Sequence, residues 1–173
     1  MAAGRWPVVE RLEGWRGKAL TETAGRAQII AKDLSGDAGI AIYAVDEPGI
    51  GSGVVDALKE QQLQVKPYNG GRRGGERYFN ERARSFWALR KLLERGEIAV
   101  PRNEKLLDEL CSMRWKVDSR GAVRIEPKDA LRTRIGRSPD RSDALAIWAK
   151  YARTESPTRL APVSLTRVSP WKF

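Results

Sequence analysis

The spacing of apolar and polar side chains changes several times along the chain, and each change marks an element. Residues Pro7 to Glu13 alternate loosely and predict a strand, after an N-terminal stretch too short to hold another. Gly14 to Gly17 predict a turn. From Thr21 to Leu34 the positions Ala24, Ala27, Ile30, Ala31 and Leu34 recur at helical spacing, with Thr21 or Thr23 as cap. Ile40 to Val45 is a continuous apolar run, the pattern of a central strand covered on both faces. A Gly-rich turn then leads into a helix from Val54 to Gln62. Gln64 to Tyr68 predicts a short strand that Pro67 brings to its end. Strand, helix, strand, helix, strand with short connections predicts parallel pairing and an α/β sheet.

The second half is more strongly patterned. Phe79 to Glu97 predicts an amphipathic helix whose apolar stripe is Phe79, Ala83, Phe86, Trp87 and Leu93, with Arg82, Arg84, Lys91 and Arg95 off it. Ile98 to Pro101 predicts a short edge element. Asn103 is placed to cap a helix from Glu104 to Met113 that turns Leu106, Leu107 and Leu110 inward. Trp115 to Glu126 alternates on both sides of Gly121 and predicts a hairpin. Ser138 followed by Pro139 is a helix-start signal, and Ala144, Leu145, Trp148, Tyr151 and Ala152 form the predicted buried face. Past Arg153 the chain has three prolines and no period, so residues 154–173 are expected to be an extended or disordered tail.

Composition narrows the chemistry. The 173 residues suit one domain with a sizeable core, and no apolar run approaches a membrane span. There is no histidine, which removes Ser–His triads and most zinc sites. The single cysteine, Cys111, excludes an intramolecular disulfide and reads as a small core residue. A net charge of +10 points to a polyanion, nucleic acid before an anionic membrane surface, with a merely solvated basic surface as the plainer reading. From Arg114 to Arg141 nine Lys or Arg face four Asp or Glu. They include Lys116, Arg120, Arg124, Lys128, Arg132, Arg134 and Arg137, the best candidate nucleic-acid surface. The loop Asn69 to Arg77, with Arg72 and Arg73 among glycines, reads as a phosphate-contacting loop or as a plain linker.

Three carboxylates stand out. Asp46 ends the apolar strand, at the place where open α/β sheets hold ligands. Asp140 and Asp143 are three apart on the last helix and share a face. Carboxylates brought together are costly unless a cation joins them, and oxygen ligands suit Mg²⁺ or Mn²⁺. Helix N-terminal acids favoured by the macrodipole are the plainer account of Asp143 alone, whereas Asp140 with Asp46 is the pair that points to a metal. Carboxylates that hold two ions about 4 Å apart would support phosphodiester hydrolysis without histidine. The run Gly49, Gly51, Gly53 also offers a phosphate cradle, but it lacks a Gly-Lys-Ser/Thr ending and does not fit a nucleotide loop.

Four stretches together resemble the C-terminal nuclease domain of the large terminase subunit of tailed bacteriophages. They are Val45 to Leu58 (VDEPGIGSGVVDAL), Tyr78 to Ala83 (YFNERA), Arg124 to Asp129 (RIEPKD) and Arg137 to Leu145 (RSPDRSDAL). The resemblance spans about Pro7 to Arg153. It implies an RNase H-like mixed sheet flanked by helices with an added basic β-hairpin, over residues 1–153. It implies a two-metal Mg²⁺ or Mn²⁺ endonuclease that cuts double-stranded DNA during genome packaging. Asp46 takes the place of the second metal-binding aspartate, and Asp140 that of the last, with Asp143 the nearby acid of the same motif. Partners implied are the terminase ATPase domain, the small terminase subunit and the portal protein, in the cytoplasm of a bacterial host and away from membrane. The family's first strand carries another metal-binding aspartate, whereas this chain has no acid before Glu10. The expectation is a nuclease domain lacking that strand, with impaired catalysis: a prophage remnant, a split product or a misassigned start. The alternative is a degenerate RNase H-like module that holds DNA or a protein without cutting.

Overall fold

The structure, a computed structural model, describes residues 1–5, 7–15, 17–35, 42–48 and 51–155. The elements, in order, are β1 (Ala2–Arg5), β2 (Val8–Leu12), α1 (Leu20–Ser35), β3 (Ile42–Asp46), α2 (Gly51–Glu60), β4 (Gln64–Tyr68), α3 (Glu81–Glu94), α4 (Glu104–Ser112), β5 (Trp115–Val117), β6 (Val123–Ile125), α5 (Lys128–Ile135) and α6 (Asp140–Glu155). The described residues form a mixed α/β fold, and none of its helices is long and apolar enough to cross a membrane.

The strands pair two by two. β3 and β4 are parallel, with Ile42 opposite Gln64 and Asp46 opposite Tyr68, as the alternating order predicted. The N-terminal stretch does hold a strand, contrary to expectation. β1 pairs antiparallel with β2, and Gly4 makes this possible at four residues' length, because a Cβ there would lie 2.2 Å from the Val8 carbonyl oxygen. β2 therefore has an antiparallel neighbour on one edge, and on the other a parallel bridge from Val8 to Ala99. Its other edge is touched by the edge element around Ile98, where the Val9 N–H donates to the Ala99 carbonyl at 2.8 Å. β5 and β6 form the predicted hairpin, and Gly121, at φ 79°, supplies the left-handed residue its turn requires.

Among the described residues no ladder joins the β1–β2 hairpin to the β3–β4 pair. α6 packs against both β1 and β3 and links them by side chains instead. This explains why β3 is half-buried rather than covered on both faces as its apolar run predicted.

Among the described residues the core has two parts. Val9, Phe86, Leu89, Leu92, Ile98, Leu106, Leu145, Ala146 and Ala149 form the larger one, between α3, α4, α6 and β2. Ala24, Val54 and Leu58 form the smaller, between α1 and α2. α6 is buried over four of the five positions from Leu145 to Ala149 rather than along a single stripe, because helices and a strand flank it on several sides.

Several predicted faces shift. α3 starts at Glu81, where Asn80 caps it by accepting the Ala83 N–H at 2.9 Å. Phe79 thus lies outside the helix and is 41% exposed, stacked under the Arg124 guanidinium at 3.5 Å rather than in the core. On α4, Asn103 caps as predicted, accepting from Leu106 at 3.0 Å. Leu107 faces solvent, and Glu109, not Leu107, is buried. Cys111 is exposed on the same helix, not a core residue. The loop after β4 is not a plain linker: Gly70 and Arg72 carbonyls accept the Arg82 and Glu81 N–H groups at 2.9 and 2.7 Å. Gly74 is pressed against Asn80, whose carbonyl a Cβ would meet at 2.4 Å. α5 was not foreseen; it ends at Gly136, in the left-handed conformation. α6 runs to Glu155, and residues 156–173 of the predicted tail lie outside the described residues.

Candidate functional site

Parallel pairing of β3 with β4 puts Asp46 at the carboxyl end of β3, beside Tyr68. Gly51 opens α2, and a Cβ on it would lie 1.6 Å from the Asp46 carbonyl oxygen. Only glycine allows the helix to start so close to the strand's last residue. Gly53 faces Leu20 of α1 inside the same helix, and Gly49 lies outside the described residues. The glycines at 51 and 53 therefore serve close packing.

α6 supplies the facing carboxylate. Asp46 and Asp143 line one cleft of about 50 Å³, with Tyr68, Arg82, Phe86 and Lys128 among its other walls. That is room for an ion or a water or two. Asp143 is only 14% exposed and has a cation on each oxygen: Arg82 Nε donates to Oδ1 at 3.1 Å, and Lys128 Nζ lies 3.1 Å from Oδ2. Asp140 stands at the rim, 62% exposed, with Lys128 Nζ 3.1 Å from its Oδ1. The Ser138 hydroxyl also donates to that Oδ1 at 2.5 Å. Lys128, the first residue of α5, thus bridges the two acids of α6.

Arg82 holds the cleft's inner wall. Its Nη1 donates to the Glu126 carbonyl at 2.8 Å, its guanidinium lies 4.8 Å from the Phe86 ring centre, and its buried Nη2 has no hydrogen-bond partner. The helical pattern places Arg82 off the apolar stripe. Its role depends on Asp143, far along the chain, and no local signal could have shown it.

The electrostatics fit a site short of positive charge at one carboxylate only. Asp46 is exposed as a residue, yet loss of water on its cleft side raises its carboxyl above the ordinary value. The Asp143 charge adds to the rise, and Lys128 and Arg82 act against it. For Lys128, burial alone would lower the ammonium, but Asp143 and Asp140 outweigh burial and hold it above its usual value. Burial pushes the Tyr68 phenol well up, while its hydroxyl donates to buried Ser85 at 3.1 Å.

Asp46 and Asp143 are hard oxygen donors brought to one small cleft, a set that fits one divalent cation. Among the described residues no group of three or more His, Cys, Asp or Glu is arranged to hold a metal.

The predicted DNA-contacting residues divide. Arg72, Arg73, Lys116, Arg120 and Arg132 are exposed and form no ion pair among the described residues. Arg124 stacks on Phe79, and Lys128 is committed to the cleft. Arg134 is bound to Glu126 and to the Ser112 carbonyl. Arg137 donates to the Lys105 carbonyl at 3.0 Å and to Asp108 at 2.8 Å.

No protein-family model and no curated protein matches this sequence. Solved structures do. The chain matches the nuclease domain of the large terminase subunit gp2 of bacterial virus Sf6, with manganese and beta-thujaplicinol, at a TM-score of 0.65 and 20% identity, over 86% of this chain and 80% of that one. It matches the large terminase nuclease from thermophilic phage G20c with bound cobalt at a TM-score of 0.61 and 20% identity, over 85% and 69% of the two chains. The same nuclease with bound magnesium matches at 0.56 and 20% identity, over 78% and 62%. The fold is thus the RNase H-like fold of phage terminase nuclease domains.

Proposed function

We propose that this chain is the nuclease domain of a phage or prophage large terminase subunit. In that role it cleaves double-stranded DNA with Mg²⁺ or Mn²⁺ during genome packaging, in the bacterial cytoplasm. The observation that supports this most is the cleft shared by Asp46 and Asp143, in a fold whose solved relatives carry manganese, cobalt or magnesium. The terminase ATPase domain, the small subunit and the portal protein would be its partners.

Asp46 and Asp143 would hold the ion, with Asp140 at the rim. A bound divalent ion would lower the pKa of an attacking water and draw charge from the phosphate. The protein's own residues do the rest. Lys128 offsets the carboxylates' charge beside the place a phosphodiester would occupy. Arg82 fixes Asp143, and its guanidinium puts positive charge on the cleft wall. Exposed Lys116, Arg120, Arg72 and Arg73 would track the DNA backbone.

The reading includes weak catalysis by this chain, because the cleft joins two carboxylates rather than three. A second reading, a module that holds DNA without cutting, draws on one observation: both oxygens of Asp143 are already taken by Arg82 and Lys128. Supercoiled plasmid with Mn²⁺ separates the two. The nuclease reading expects slow nicking that EDTA, Asp46→Ala and Asp143→Ala each abolish. Salt-sensitive binding with no nicking would establish the second reading, and robust cutting would overturn impaired catalysis.

A further inference from the structure

Glu109 is a fully buried carboxylate, at 0% exposure, on a helix whose other polar residues face water. Its Oε2 accepts the Ser142 N–H at 2.8 Å. Ser142 is the third residue of α6, in the turn whose N–H groups have no acceptor within their own helix. The local candidates do not supply one. Pro139 has no side-chain acceptor, and the Ser138 hydroxyl is turned onto Asp140. The cap comes instead from α4, 33 residues earlier in the chain.

The same junction is fastened again by Arg137, which binds the Lys105 carbonyl and Asp108 of α4. Glu109 Oε1 lies 4.0 Å from both Arg137 and Arg141 and makes no hydrogen bond. A buried carboxylate in that state is poorly compensated. A helix start that needed only stability would be served better by a Ser, Thr or Asp at its own N-cap. What the arrangement adds is position. Ser142 lies between Asp140 and Asp143, so α4 grips the turn that carries both acids, while Arg82 of α3 grips Asp143 from the cleft.

We propose that Glu109 is a positioning residue: by capping Ser142 from α4 it sets the first turn of α6, and with it the place of Asp143 opposite Asp46. This rests on the reading of Asp46 and Asp143 as a cation-holding pair, and the test keeps the two separable. Hydrogen exchange of the full chain, read by mass spectrometry, reports the first turn without any metal. In Glu109→Ala the amides of residues 140–145 should exchange faster. Glu109→Gln keeps an acceptor oxygen for Ser142 and should keep those amides protected, even if its amide group beside two arginines lowers overall stability. Leu58→Ala, in the other core cluster, is the control for general loosening and should leave the α6 start protected. If Glu109→Ala does not fold, Glu109→Asp, one methylene too short, should loosen the same turn.

Calorimetric titration with Mn²⁺ supplies the second arm. Affinity should fall about tenfold in Glu109→Ala and return in Glu109→Gln, as for residues that orient metal ligands. Wild-type protection of residues 140–145 in Glu109→Ala or Glu109→Asp overturns the proposal, as does equal loosening by Leu58→Ala. A wild-type chain that binds no Mn²⁺ refutes the metal reading, and the exchange arm then judges Glu109 by itself.

Discussion

Asp143→Ala removes a carboxylate that is structural as well as a candidate ligand, and the structure sets the size of the loss. Arg82 Nε bonds it at 3.1 Å, and both side chains are nearly enclosed, at 15% and 14% exposure. A hydrogen bond to a charged group contributes about 1.5–3 kcal/mol. The Lys128 contact, on a side chain 40% exposed, is screened and adds at most about 1 kcal/mol. Without Asp143, the Arg82 guanidinium keeps only the Glu126 carbonyl and the Phe86 ring, with Nη2 already unpartnered. The sum is a destabilisation of about 1.5–4 kcal/mol, or roughly 3–16 °C in Tm for a chain of this size. Urea unfolding at pH 7 should show a lower midpoint at unchanged slope. In a double-mutant cycle with Arg82→Met, most of the loss should be shared by the pair. A midpoint within about 0.5 kcal/mol of wild type would refute the reasoning, since a surface substitution does no more than that.

Other outcomes follow from the same geometry. Asp46→Asn should act in the opposite direction to Asp143→Ala, leaving stability at pH 7 unchanged or raised. An acid whose folded pKa is raised makes the fold more stable as pH falls through that value, with the gain complete below the unfolded 3.8, so wild type should show this acid-side gain and Asp46→Asn should lack it in pH-resolved urea melts. Gly51→Ala should displace the end of β3 and abolish Mn²⁺ binding, since its Cβ falls 1.6 Å from the Asp46 carbonyl oxygen; wild-type titration by calorimetry would contradict this. Lys116→Ala should weaken DNA binding evenly across sequences and lower the slope of log affinity against log salt by about 1, whereas Arg134→Ala, whose charge is spent on Glu126, should change that slope less.

How far the sequence could be read depended on the range of the interactions involved. The hairpin around Gly121, the strand Gln64–Tyr68, the Asn103 cap and the placement of Asp46 at a strand end are local, and period and turn chemistry expose them. Asn80 was hidden because Phe79 fits the helical stripe, although Asn before Glu81 is itself a cap signal. β1 was missed because its four residues include a glycine, and only the close approach at Gly4 makes a strand of them. Arg82 and Glu109 were out of reach for a different reason. Their partners, Asp143 and Ser142, lie 61 and 33 residues away, so no periodicity records them. Charge alone did not distinguish Arg137, spent on α4, from exposed Lys116.

Mn²⁺ titration of the wild-type chain beside Asp46→Ala, Asp143→Ala and the exposed α2 control Asp56→Ala tests the central claim most directly. The account predicts at least one bound ion in wild type and Asp56→Ala, and none in Asp46→Ala or Asp143→Ala. Equal Mn²⁺ binding in all four proteins, or none in any, would contradict it.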